Sequence, residues 1–362
     1  MESAIDQAPA ESQESSTPKP VNFNFHGKAG EFFKIWVVNV VLSILTLGIY
    51  SAWAKVRTNR YFYSLTELDG HRFSYLAKPL QILKGRIIAV VLFGGFYALN
   101  IFAPVAGLFA SLAFLFIMPF LICASIRFNM RMTSYRNVRF DFKGKAWDAA
   151  VNFILLPFAS VFTLYLLMPW VMKRIDKFIV DNTRYGNKAF NADTSAGTYY
   201  MATFATIGLS IGLLIFLGVI FALFGTSMDL KNLEGEQGAS AMFTIVMMGF
   251  YLIFFTFVQA LYKSIVRNYL FDNTELEAVA TFGSTFQFGS LAWLQITNIL
   301  ALICTLGLAF PWTKVRKANY TVDRTQVNIQ ENIDPIIDSI IEESSAIGDE
   351  VANVFDVDVA LT

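Results

Sequence analysis

Forty consecutive residues, Ile87–Ile126, contain no Asp, Glu, Lys or Arg. At about 1.5 Å rise per residue such a run makes roughly 60 Å of helix, enough for two crossings of a hydrocarbon core about 30 Å thick. Asn, Pro and Gly cluster in Asn100–Gly107 and place the turn between the crossings. Tyr199–Phe224 and Gly238–Tyr262 are two further apolar stretches of spanning length. Composition agrees, since only 15% of the chain is charged, whereas a soluble domain carries about a quarter. Four spanning helices are expected.

A second feature organises the rest. TLGIYSAWAKVR (Thr46–Arg57), TLYLLMPWVMKR (Thr163–Arg174) and TLGLAFPWTKVR (Thr305–Arg316) each close an apolar run. In every copy a Trp follows the Thr by seven residues and an Arg follows the Trp by four, giving Trp53/Arg57, Trp170/Arg174 and Trp312/Arg316. That i, i+4 spacing puts guanidinium and indole on one helical face, where the cation can cover the ring. Gly48, Gly307, Pro169 and Pro311 interrupt the helix inside the motif. Recurrence of this kind means one structural unit used repeatedly.

The charges argue against three more crossings. Lys28 and Lys34 precede the first motif run while Lys55, Arg57 and Arg60 follow it, and Lys143 and Lys145 precede the second while Lys173, Arg174 and Lys177 follow it. Basic flanks on both sides fit a run that enters and leaves on one face, as a re-entrant or interfacial broken helix. With four crossings and both termini cytoplasmic, only Lys231 of the 28 Lys and Arg falls outside, leaving 28 − 1 = 27 inside.

Polar residues recur within these runs. Asn39 precedes Thr46 by seven, Asn298 precedes Thr305 by seven and Asn152 precedes Thr163 by eleven. Both spacings are near whole numbers of helical turns, so each Asn shares a face with its Thr. Asn in lipid turns toward protein or water. The recurring Asn, Thr, Trp and Arg are therefore the candidate binding residues; interhelical hydrogen bonding is the plainer role for the Asn.

Val21–Gly27, Val138–Gly144 and Thr285–Gly289 alternate aromatic and polar residues and break at Gly, as strands do. Thr66–Tyr75, Thr183–Phe190 and Thr274–Phe282 read as partner strands. The expected architecture is an α-helical polytopic membrane protein with internal tandem repeats: four spanning helices, three re-entrant or interfacial motifs, and a small cytoplasmic β-layer. The segments run 1–20 (disordered tail), 21–135 and 136–273 (two membrane repeats), 274–331 (a truncated third) and 332–362. The last is an amphipathic tail with eight acids and no Lys or Arg, suited to a cytoplasmic protein partner rather than anionic lipid.

At FNFHGKAGEFFKIW and through Phe23–Arg86, above all in AWAKVR, TELDGHRF and KPLQILKGR, the chain resembles the YjgN family of bacterial inner-membrane proteins. Weaker echoes extend the likeness over most of Val21–Gln330. After Arg316 no counterpart of TELDGHRF follows. The resemblance implies an inner-membrane location; the family has no assigned reaction and no assigned site residues.

Catalytic signatures do not emerge. His26 and His71 have no Cys or carboxylate at metal spacing, so no metal site is expected, and Thr66–His71 reads as a hydrogen-bonded turn rather than an acid–base centre. Cys123 and Cys304 lie in apolar runs and read as buried structural thiols. There is no GxSxG, HExxH or phosphate loop, so neither an enzyme nor a cofactor is expected. Basic residues track membrane boundaries rather than nucleic acid. Two functions stay open: a pore or transporter-like handler of a small or lipid-like molecule, or a scaffold or regulator acting through its β-layer and acidic tail. Either tolerates an oligomer.

Overall fold

The computed structural model describes residues 19–224, 237–277 and 279–329. The N-terminal tail, the loop carrying Lys231 and the acidic tail from 332 lie outside them. Strand, two helices and strand follow one another five times. β1 (Lys19–Phe25), α1 (Ala29–Leu45), α2 (Ser51–Ser64) and β2 (Thr66–Leu68) come first. β3 (His71–Tyr75), α3 (Pro79–Phe102), α4 (Pro104–Arg131) and β4 (Thr133–Tyr135) are next. In the third stretch β5 (Val138–Phe142) leads to α5 (Ala146–Ala150), which continues through a π-helical turn, Val151–Leu155, into α6 (Leu156–Phe162). α7 (Met168–Asp181) and β6 (Thr183–Tyr185) complete it. The fourth holds β7 (Lys188–Ala192), α8 (Ala196–Phe224), α9 (Gln237–Asp272) and β8 (Thr274–Leu276), and the fifth β9 (Ala280–Ser284), α10 (Phe288–Cys304), α11 (Phe310–Asp323) and β10 (Thr325–Ile329).

The ten strands close into one antiparallel barrel, with β1 pairing both β2 and β10. This overturns the expected helical fold with a small β-layer. Three- and five-residue strands are too short to show alternation over a usual window, and a barrel needs all ten because closure alone removes every edge. β4 and β10 were missed, and Thr285–Gly289 proves to be a short loop and the first two residues of α10; its strand is β9, just upstream. The missing counterpart after Arg316 has a topological reason. β10 closes on β1 instead of turning into a further hairpin.

Short turns such as Asp69–Gly70 (φ 49° and 73°) and Arg136–Asn137 (φ 46° and 64°) join successive stretches at one end of the barrel. Two positive φ values in a two-residue loop match the twist of paired strands. All five helical hairpins leave from the other rim. There each returning strand opens with a threonine whose hydroxyl donates to the carbonyl four residues earlier. Thr66 bonds Phe62, Thr133 Asn129, Thr183 Ile179, Thr274 Leu270 and Thr325 Thr321, at 2.6–3.1 Å. The bond satisfies a carbonyl that the ending helix would leave orphaned.

Inside, the barrel is filled. Phe23, Phe73, Phe140, Phe190 and Phe282, one from each odd-numbered strand, pack around Leu68, Tyr135, Tyr185, Leu276 and Val327. Ring contacts link neighbours, Phe73 to Tyr135 at 4.8 Å and Phe140 to Tyr185 at 5.1 Å. The buried phenols donate to backbone, Tyr135 to Leu68 (2.8 Å) and Tyr185 to Tyr135 (3.0 Å). Burial pushes the Tyr135 pKa up to about 12 and that of Tyr185 further up, so both stay protonated donors.

Above the rim, consecutive helices touch in order and α11 touches α1, so the helices form a closed ring. Four are long and apolar enough to cross a membrane: Pro79–Phe102, Pro104–Arg131, Ala196–Val219 and Met247–Asp272. These match the four expected spans, with the first pair turning at Ala103.

Candidate functional site

The three motifs make the turns of the three short hairpins. At Leu47–Gly48, Leu164–Tyr165 and Leu306–Gly307 the backbone takes positive φ. Each motif Thr holds its turn from within. Thr46 Oγ1 donates to Leu42 O (2.7 Å) and accepts from the Tyr50 amide (2.9 Å). Thr305 does the same with Ala301 and Ala309, and Thr163 with Ser160 and Leu167. Glycine takes such a φ without penalty, while Tyr165 sits there at φ 62°.

The Asn and Arg residues meet in two hairpins of three. Arg174 Nε donates to Asn152 Oδ1 at 3.4 Å. Arg316 Nη1 donates to Thr297 Oγ1 (2.5 Å) and Asn298 Oδ1 (3.2 Å). The guanidiniums of Arg174 and Arg316 also lie 5.3 and 5.0 Å from the Trp170 and Trp312 rings. In the first hairpin Arg57 is exposed, Trp53 stacks on Tyr50 at 6.1 Å, and both amide atoms of the buried Asn39 lack a partner.

Within the ring three adjoining cavities sit over the barrel. The largest, about 640 Å³, is walled by Met172 and Asp176 of α7, Gln259, Lys263 and Arg267 of α9, Gln295 and Asn298 of α10, and Lys317 of α11. Since α7 and α11 are not neighbours in the ring, this cavity lies on its inner side. A second, about 490 Å³, shares Lys317 and Thr321 with it, and its walls include Phe23 and Phe73 of the barrel filling. The third, about 460 Å³, joins through Thr58, Asn59 and Lys314 and adds Asn39 and Lys55. The structure therefore brings Asn39 and Asn298 to cavity walls, and leaves Asn152, the motif threonines and the Trp–Arg pairs outside them.

Sequence reasoning missed the cations of this chamber. Lys55, Lys263 and Lys314 each stand eleven residues before the threonine that opens the returning strand (66 − 55, 274 − 263 and 325 − 314). That register, once the five threonines are aligned, is the signal that finds them. Arg267 lies between the Phe271 and Phe286 rings (4.1 and 4.5 Å) and donates from Nη2 to Thr325 Oγ1 at 3.0 Å; its Nε is buried without a partner. Among the described residues none of Lys55, Lys263, Arg267, Lys314 and Lys317 has a carboxylate within ion-pair distance. Among the described residues Asp176 is the one acid on these walls, and it accepts from Tyr199 Oη at 2.8 Å. Burial raises its pKa and the tyrosine bond opposes the rise.

The two histidines make local contacts. His26 Nε2 lies 3.1 Å from Glu67 Oε2, and His71 Nδ1 lies 2.8 Å from the Asp69 carbonyl within its turn. Among the described residues no group of three His, Cys, Asp or Glu converges. Cys123 is buried, but Cys304 is exposed at the end of α10, against expectation, because it faces out beside the Thr305 turn.

A ring of apolar helices standing on a filled β-barrel defines an integral membrane protein. The chain belongs to DUF898, a family described as bacterial protein of unknown function, whose profile matches residues 20–354. It is 24% identical to the inner membrane protein YjgN of Escherichia coli O157:H7 and to that of strain K12, in each case over 84% of this chain and 87% of the relative. The inner membrane protein YjgN of Salmonella typhimurium is 23% identical over the same shares. No solved structure matches.

Proposed function

We propose that this is an inner-membrane protein that takes a small amphipathic molecule from the bilayer into the chamber enclosed by its helix ring. The observation that carries this reading is the chamber itself. Its walls mix apolar side chains with Lys, Arg, Asn and Gln, as a site for a molecule with a polar end and an apolar end requires. The barrel beneath is packed with aromatic rings, which favours a binding or carrier role over an open pore. The relatives' name supports the location.

In this reading the barrel faces the cytoplasm and the short hairpins dip into the membrane without crossing it. α2 and α11, of 14 residues each, reach about 21 Å, short of a core about 30 Å thick. Their turns carry apolar tips, with Leu47 and Leu306 each 94% exposed. The five strand–helix–helix–strand stretches act as an internal repeat. Impermeant maleimide on intact spheroplasts is expected to label Ala103→Cys and to spare Asn187→Cys; the reverse pattern overturns the orientation.

Filling the chamber tests the function. Protein purified in mild detergent is expected to yield a solvent-extractable small molecule by mass spectrometry, and Val266→Trp with Gln295→Trp to lose it while still folding. Identical extracts from both proteins would instead favour a scaffold.

A further inference from the structure

The chamber is strongly one-sided in charge. Among the described residues five cations line its three cavities against one acid, and that acid is already engaged by Tyr199. The cations cluster on the side made by the first, fourth and fifth hairpins. At the register of Lys55, Lys263 and Lys314, the second and third hairpins carry the apolar Ile122 and Met172 instead (133 − 122 and 183 − 172 are both eleven). Positive charge gathered beside apolar walls, without carboxylates to pair it, is the arrangement that an anionic ligand completes.

We propose, building on the preceding reading, that Lys263, Arg267 and Lys317 hold the phosphate of a phosphate-bearing amphipath. A tetrahedral phosphate accepts donors from several directions at once, which suits cations arriving from two helices, α9 and α11, that line one cavity. A planar carboxylate would draw on a guanidinium fork. Here one arm of the fork already serves Thr325 and the plane is held between two phenyl rings, with Nε left without a partner. The lysines stand exposed on the walls and make no ion pair among the described residues, so their charges are free to reach a ligand. Met172, in the wall of the same cavity, offers adaptable apolar surface for the rest of the molecule.

Native mass spectrometry of the delipidated full chain, titrated with phosphatidylglycerol, diacylglycerol or inorganic phosphate, tests this. Phosphatidylglycerol is expected to bind at least tenfold more tightly than diacylglycerol, which lacks the phosphate. The double variant Lys263→Gln with Lys317→Gln should lose at least tenfold, while Lys263→Arg with Lys317→Arg retains binding and shows that charge, not fold, is read. Binding of phosphatidylglycerol without inorganic phosphate assigns a lipid source. Equal binding of both assigns a soluble phosphate, which keeps this site and overturns the amphipath of the preceding section. Equal affinity for the two lipids, or wild-type affinity in a folded glutamine double variant, overturns the phosphate site even if the chamber is occupied.

Discussion

TLGIYSAWAKVR and TLGLAFPWTKVR turn two helical hairpins that touch each other through α1 and α11. Their turns are near-identical: φ is 50° and 89° at Leu47 and Gly48, and 49° and 90° at Leu306 and Gly307. Their buried chemistry differs. In the fifth hairpin Arg316 reaches Asn298 and covers Trp312. In the first, Trp53 packs beside Ala52, Val56 and Ile82, against the following hairpin, and Arg57 stays exposed. Asn39, only 5% exposed, is left without a partner. A local motif fixes a turn; the neighbour each face meets decides what its side chains do.

Leucine at the two Asn positions is the strongest way to break this comparison. Removing an unsatisfied buried amide should stabilise, so Asn39→Leu is expected to raise the melting temperature in detergent by the equivalent of about 1–3 kcal/mol. Asn298→Leu should lower it by about 1–2 kcal/mol, since Arg316 loses one of its two acceptors. Shifts of the same sign for both would mean that the two amides are equivalent after all.

Turn substitutions sharpen the other half. Gly48→Val and Gly307→Val should each cost about 1–2 kcal/mol, because both positions sit at φ near 90°. Tyr165→Gly, in the hairpin that lacks this glycine, should gain up to about 1 kcal/mol in the same thermal melts. Unequal losses at Gly48 and Gly307 would show that the two turns differ in their surroundings.

A smaller effect separates the indole contacts. Beyond the hydrogen bonds they also give up, Arg316→Ala and Arg174→Ala should lose about 0.5–1 kcal/mol of ring contact and shift Trp emission; Arg57→Ala should leave both unchanged.

The smallest effect lies at the barrel rim. Burial pushes the Asp141 carboxyl up, but bonds from Arg131 and the Phe142 amide and the charge of Lys143 outweigh it and hold its pKa below the usual value. A depressed folded-state pKa contributes stability above the unfolded pKa that is lost as pH falls through the folded one. Melting temperature should therefore decline below about pH 4–5, and Asp141→Asn should flatten part of that decline.

Much of the membrane part was legible because lipid leaves few options. Uncharged runs of spanning length announce helices, and glycines and prolines inside the motifs announce breaks. The barrel was not legible, although its pieces were. VNFNF and VRFDF show alternation over five residues, whereas Thr133–Tyr135 has only three residues and pairs because Phe73 and Val138 flank it in space. The chamber cations were read as boundary markers, since a lysine that faces a lumen and one that faces a head group look alike in sequence.

By itself the sequence determined what each segment tolerates: lipid around Ile87–Ile126, a left-handed turn at Gly48 and Gly307, and a strand start at Thr66, Thr183 and Thr274. Tertiary structure alone decided that ten short strands close into one barrel, that Asn298 has a partner while Asn39 has none, and that Lys263, Arg267 and Lys317 share a cavity. Those outcomes depend on contacts between residues tens to hundreds of positions apart, such as Lys19 with Ile329. Local propensity carries no information about such pairs; closure and packing supply it.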